Sequence, residues 1–176
     1  MRKLLVWLGL LVILIVTNFV IVSKERILAQ GDVLLLDMAP RDPRSLMQGD
    51  YMTLRYRIAQ EIENAATKNR HDGYAVVKPD DKRVAQFVRL YVEGSSLAAD
   101  ERLLRYRNRA ERVKVATDAY FFQEGRGHFY AAARYGKFRV SKNGEVVLVG
   151  LCDANLRALT TDAVNPAQQP ACLDQK

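Results

Sequence analysis

Every residue from Leu4 to Val22 is uncharged, and only Thr17 and Asn18 among them are strongly polar. At 1.5 Å rise per residue, a helix over this run spans roughly 28 Å, close to the hydrocarbon thickness of a bilayer. A lone segment in lipid satisfies its backbone only as a helix. Arg2 and Lys3 precede the run, and Lys24, Glu25 and Arg26 follow it. A cleaved signal peptide has a shorter apolar core and a small-x-small cleavage site, which Val22-Ser23-Lys24-Glu25 does not supply. The first cysteine is Cys152, so lipoprotein processing is not expected. Residues 1–26 read as an uncleaved anchor, and the rest must be read as a separate, water-facing chain.

That split changes the charge argument. The chain carries 27 basic and 20 acidic residues, a net of +7. Arg2, Lys3, Lys24, Arg26 and Glu25 belong to the anchor, which leaves 23 basic and 19 acidic residues and a net of +4. Both signs are interspersed, as on an ordinary soluble surface. The flanks of the anchor nearly balance, and the amino terminus tips the bias toward an N-terminus in the cytoplasm. Cys152 and Cys172 bracket a segment with Asn165, Pro166 and Pro170 and little apolar content after Leu159. Such a tail frays unless tied down. A disulfide there would stabilise by about 3 kcal/mol in the chain-entropy model, and it implies an oxidising compartment such as a periplasm.

The remaining residues alternate strand and turn signals. Val33 to Met38 reads as a strand, Arg41-Asp42-Pro43-Arg44 and Gln48-Gly49-Asp50 as turns. From Tyr51 to Ile58, Tyr51, Thr53, Arg55 and Arg57 alternate with Met52, Leu54, Tyr56 and Ile58, the period of a strand with one polar face. Ile58 to Lys68 has helical spacing and ends at Asn69-Arg70-His71-Asp72-Gly73. Tyr74 to Lys78 and Val84 to Glu93 form a plausible hairpin, as do Arg102 to Arg107 and Arg112 to Thr117. A loop is expected at Glu124 to Gly127 and a helical turn at Ala131 to Ala133. Lys137 to Lys142 and Glu145 to Leu151 flank Asn143-Gly144, which suits a type I′ hairpin turn. The expectation is a mostly β fold (α+β minor). An N-terminal transmembrane helix precedes one antiparallel β domain, residues 27–152, with one or two short helices. Residues 153–176 form a disulfide-tied tail.

The distinctive stretch is Gly49-Asp50-Tyr51-Met52-Thr53-Leu54-Arg55-Tyr56. Gly49 supplies a turn conformation, Asp50 can accept backbone hydrogen bonds, and Leu54 and Tyr56 share the face opposite Tyr51. Read alone, this is a turn that starts a core strand. The stretch resembles the GDYXXLXY proteins and matches every fixed position of their signature. The lead-in Met38 to Gln48, the block Ala119-Tyr120-Phe121-Phe122-Gln123-Glu124-Gly125 and the final Asn143-Gly144 hairpin are also family-like. The resemblance implies a bacterial single-span protein of a family without assigned function, often found beside multi-pass membrane proteins. It brings no catalytic residues. The expected location is the bacterial inner membrane, single pass, with the C-terminal domain in the periplasm.

Candidate chemistry is sparse. Gly31-Asp32-Val33 and Gly49-Asp50-Tyr51 are a little similar to strand openings in the β-rich signal peptidases, which would nominate Ser45 as nucleophile and Lys78 as base. Ser45 lacks that family's Ser-Met-x-Pro context. His71 and His128 are the two histidines, and with scattered carboxylates such as Glu124 they show no metal-ligand spacing. Arg102, Arg105, Arg107, Arg109, Arg112 and Lys114 interleave with Tyr106, but Glu101 and Glu111 dilute the run. Anionic lipid headgroups, acidic polymers or an acidic partner suit it better than nucleic acid.

The leading expectation is therefore a non-enzymatic accessory or interaction subunit of an envelope membrane complex, with a multi-pass membrane partner, no cofactor and no metal. Gly49, Asp50, Tyr51, Leu54 and Tyr56 carry the motif, and Arg41, Asp42, Arg44, Arg55 and Glu124 are the candidate interaction residues. The alternatives are an envelope hydrolase or peptidase, and a binding module for acidic polymers or lipid headgroups.

Overall fold

A computed structural model describes residues 2–39, 51–66, 71–109, 112–160 and 170–173. Its first element is helix α1 (Arg2–Gln30), which continues past Arg26. The apolar stretch of this helix from Val6 on is not buried by the protein, with Val6, Trp7 and Phe19 at least 70% exposed. Apolar side chains on all faces are what a helix long and apolar enough to cross a membrane presents. Thr17 donates its hydroxyl hydrogen to the Ile13 carbonyl and Asn18 its amide to the Leu14 carbonyl, both at 2.8 Å. The two polar side chains are thus served by their own helix.

The helix ends against the domain without a linker. Ile27 is buried, the Gly31 N–H donates to the Ile27 carbonyl, and the Arg139 guanidinium donates to the Gly31 carbonyl at 2.9 Å. A Cβ at Gly31 would lie 2.5 Å from the Ile27 oxygen and 3.1 Å from the Val140 oxygen, so this tight joint needs glycine.

Strand β1 (Asp32–Asp37) follows at once. Its Val33 to Leu36 are all buried, a continuous apolar run covered on both faces. The other strands are β2 (Tyr51–Thr53), β3 (Gly73–Pro79), β4 (Ala85–Leu90), β5 (Arg102–Arg109), β6 (Arg112–Val115), β7 (Ala119–Phe121), β8 (Tyr135–Val140), β9 (Val146–Cys152) and β10 (Ala158–Leu159). They form two four-stranded sheets, β1-β8-β9-β10 and β4-β3-β5-β6, and the two-stranded pair β2-β7. All strand pairs are antiparallel. A parallel bridge between Leu35 and Val84 connects β1 to the start of β4. Helix α2 (Arg57–Ala65) buries Ile58 and Ile62 against β1, β4 and β6.

The expected elements hold, with local differences. Burial alternates without a break from Tyr51 to Ile58, as the period-2 reading requires, but the ladder stops at Thr53 because β7 offers only three partners. The chain then turns into α2 at Arg57. The short helix α3 occupies Gly127–Tyr130 rather than Ala131 to Ala133, because burial of Tyr130 and Gly127 fixes it and the alanines bury less. The last hairpin turns through Ser141 to Glu145, with the Gly144 N–H donating to the Ser141 carbonyl and positive φ at Gly144 (81°) but not at Asn143. This is a type I turn closed by a glycine bulge, not the expected I′.

The tail is tied as expected. Cys152 and Cys172 are disulfide-bonded, Cα atoms 6.2 Å apart, and both are buried with Leu35, Val84 and Ala158. Strand β10 adds to β9, with Ala158 opposite Cys152 and Leu159 opposite Leu151. Asp153 organises the turn between them, accepting from the N–H groups of Asn155 and Arg157.

Candidate interaction site

Two family-like blocks, far apart in sequence, meet in the β2–β7 pair. Tyr51 lies opposite Phe121, Met52 opposite Tyr120 and Thr53 opposite Ala119. The outer face carries Tyr51 and Phe121 with ring centroids 5.7 Å apart. Both are exposed, Phe121 at 74% and Tyr51 at 45%. The inner face carries Met52, buried in the core, and Tyr120, edge-on to Tyr130 at 5.0 Å. Phe122 stacks on Tyr130 at 5.4 Å. Burial, and after it the hydrogen bond with Tyr130, pushes the Tyr120 phenol above its ordinary value.

The rest of the motif is structural. Leu54 and Tyr56 are in the main core. The Tyr56 hydroxyl donates to the Thr117 carbonyl at 3.2 Å, and its ring meets Phe138 edge-on at 5.5 Å. Burial, then the nearby Asp118 charge, raises its phenol. Gly136 makes room for this contact, since a Cβ there would lie 2.8 Å from the Phe138 ring and 3.2 Å from the Tyr56 ring. Gly49 and Asp50 lie outside the described residues, as do Arg41, Asp42, Arg44 and Ser45.

Arg55 is exposed, and its carbonyl accepts from the Ala39 N–H at 2.9 Å. Glu124 is exposed on the loop after β7. His128 is also exposed; its Nδ1 lies 3.0 Å from the Gly125 carbonyl and its ring packs on Phe129. Lys78 pairs with Asp100 at 2.7 Å, and that hydrogen bond holds its ammonium protonated beyond its ordinary range. A base lysine needs the opposite environment. Among the described residues no group of three or more His, Cys, Asp or Glu is placed to hold a metal.

Sequence reasoning missed Lys137. It is 2% exposed and lines a cavity of about 220 Å³ with Tyr120, Tyr130, Leu151 and Cys172. Lys137 faces away from Phe138, and this face is closed by Ala158 and Leu159 of β10 and by Cys172. The only local signal was a lysine beside Phe138 in an apolar strand.

The model of the GDYXXLXY protein family matches residues 13–151. The chain belongs to the GDYXXLXY family. No curated protein and no solved structure matches it. The matched region runs from inside α1 to β9, and so includes the helix joint, both halves of the β2–β7 pair and the final hairpin of this GDYXXLXY protein.

Proposed function

We propose that this GDYXXLXY protein is a non-enzymatic docking domain held on the periplasmic side of a bacterial inner membrane, an accessory subunit for a multi-pass membrane protein. The observation that supports it is the Tyr51–Phe121 pair, two exposed aromatic rings contributed by the two family-like blocks. Exposed aromatics grouped on a rigid surface are the usual anchors of protein interfaces. The linker-free joint at Ile27 and Gly31 supports the same reading, because it fixes the height and orientation of that pair over the anchor. The buried disulfide favours an oxidising compartment.

The test is purification of the full chain from membranes in mild detergent at native levels, beside the variant carrying Tyr51→Ala and Phe121→Ala. A membrane protein should accompany the native chain and be lost from the variant, while both chains remain in the membrane fraction. Recovery of the native chain alone, or equal recovery of the partner by the variant, would refute the assignment.

A further inference from the structure

We infer that the groove at the base of α1 is a binding site for the headgroup of an anionic phospholipid, whose acyl chains stay in the adjoining leaflet. The inference rests on the membrane-anchor reading but not on a protein partner. The groove, about 380 Å³, is lined by Lys24 of the helix, Arg105 and Arg107 of β5 and Lys114 of β6, with one carboxylate, Glu145, among these four cations, over an apolar floor from Val146 to Leu148.

Three observations converge. The first is position. Lys24 is two residues beyond Val22, so its backbone lies about 3 Å past the end of the apolar run, within the headgroup layer. Its ammonium pairs with Glu145 at 3.1 Å, which ties the groove to the helix at this level.

The second is the pattern of neutralisation. Arg102 pairs with Asp32, Arg109 with Asp72 at 3.2 Å, and Lys114 with Asp118. Arg105 and Arg107 form no ion pair within 4 Å among the described residues; both are exposed on one face of β5, where their charges act on Asp72 only at longer range than Arg109 does. Successive residues on one face of a strand stand roughly 7 Å apart. Two arginines rooted at that backbone spacing have the reach to bring their guanidinium forks to one phosphodiester.

The third is the apolar floor. A free phosphate or an acidic polymer has no use for Val146 to Leu148, whereas the glycerol and first methylenes of a lipid do.

The experiment uses the full chain in mild detergent, with phosphatidylglycerol or phosphatidylcholine added in mixed micelles and bound lipid read by native mass spectrometry. Phosphatidylglycerol should be retained over phosphatidylcholine by about tenfold or more. Replacing Arg105→Gln and Arg107→Gln together should abolish that preference. Arg109→Gln, the same kind of charge loss outside the groove, should leave it intact. Equal retention of the two lipids overturns the inference, and so does an equal loss in the Arg109→Gln variant. Displacement of phosphatidylglycerol by millimolar inorganic phosphate would show a general anion site. Arginine-dependent binding of polyglutamate without lipid selectivity would show a polymer site. Either result overturns the lipid assignment. Alkaline carbonate extraction of membranes separates the premises: release of the chain would defeat the anchor reading itself, while retention without lipid selectivity defeats only this inference.

Discussion

The two tyrosines of the GDYXXLXY signature have opposite jobs, and substitution should separate them. Tyr56 is 5% exposed and its hydroxyl serves the Thr117 carbonyl. Tyr56→Phe removes that bond and leaves the carbonyl to find water, a loss of about 1–3 kcal/mol. Tyr56→Ala removes the ring as well and should cost about 3–5 kcal/mol. Gly136→Ala places a methyl group 2.8 Å from the Phe138 ring and 3.2 Å from the Tyr56 ring, an overpacking cost of about 1–3 kcal/mol. In the Tyr56→Ala background the vacated space lets Phe138 retreat. The double variant should therefore lose less than the two single losses combined, by about 1 kcal/mol or more. Tyr51→Ala removes the ring contact with the exposed Phe121 and should cost no more than about 1 kcal/mol. Urea unfolding of the full chain in mild detergent measures all of these. The signal should be near-ultraviolet dichroism of tyrosine, because Trp7 lies exposed on α1 and reports poorly on the domain. A neutral Tyr56→Phe with a neutral Gly136→Ala, or a Tyr51→Ala loss as large as that of Tyr56→Ala, would refute this division of the motif.

Other outcomes follow from the same geometry. Reducing the Cys152–Cys172 bond, which closes a loop of sequence separation 20, should destabilise by about 3 kcal/mol and lower Tm by about 6–12 °C, read by thermal dichroism with and without reductant. An unchanged Tm would mean that the tail is uncoupled from the domain. Burial raises the phenols of Tyr56, Tyr106 and Tyr120 above the ordinary 10.0. Their native protonation is matched in the unfolded chain below pH 10, so this stability is fully present there and is lost as pH rises beyond it. Phenolate absorbance should lag for part of the eight tyrosines and rise with unfolding; ionisation of all eight in one step with the fold intact would contradict the burial. Ala116 holds a left-handed conformation (φ 57°) on an exposed turn, so Ala116→Gly should raise stability by up to about 1 kcal/mol in the same urea assay, and a clear loss would refute the strain.

The elements were legible in the sequence where local periodicity decides burial. Met52, Leu54, Tyr56 and Ile58 are buried as the alternation requires, although they pass from a ladder through a single bridge at Tyr56 into a helix. Side-chain period fixes the face; the hydrogen-bond partner depends on what else arrives. For β2 that partner is β7, and a pairing at such sequence distance leaves no local trace in either segment. The candidate site was opaque for this reason. Tyr51 and Phe121 were each visible within a family-like block, but their meeting is a property of the folded chain. Lys137 was hidden differently. Its position reads as the solvent face of a hairpin, and the segments that close over it, Tyr120, Tyr130 and the returning strand β10 tied by the disulfide, are distant in sequence.

The basic groove shows how charge became informative only after pairing. The net of +4 on the water-facing residues predicts no patch, because mixed signs on a surface largely cancel. The Arg102 to Lys114 run is predominantly basic in sequence, yet Asp32 and Asp72 from distant segments, and Asp118 four residues beyond Lys114, pair with three of its cations. Arg105 and Arg107 are left without a direct ion pair, and they lie in the groove to which the helix contributes Lys24. Exposed ion pairs contribute little stability individually, so the three pairs do more to shape the field than to hold the fold. They leave the directly unpaired positive charge of the hairpin at the base of α1, in the groove proposed above to take an anionic headgroup.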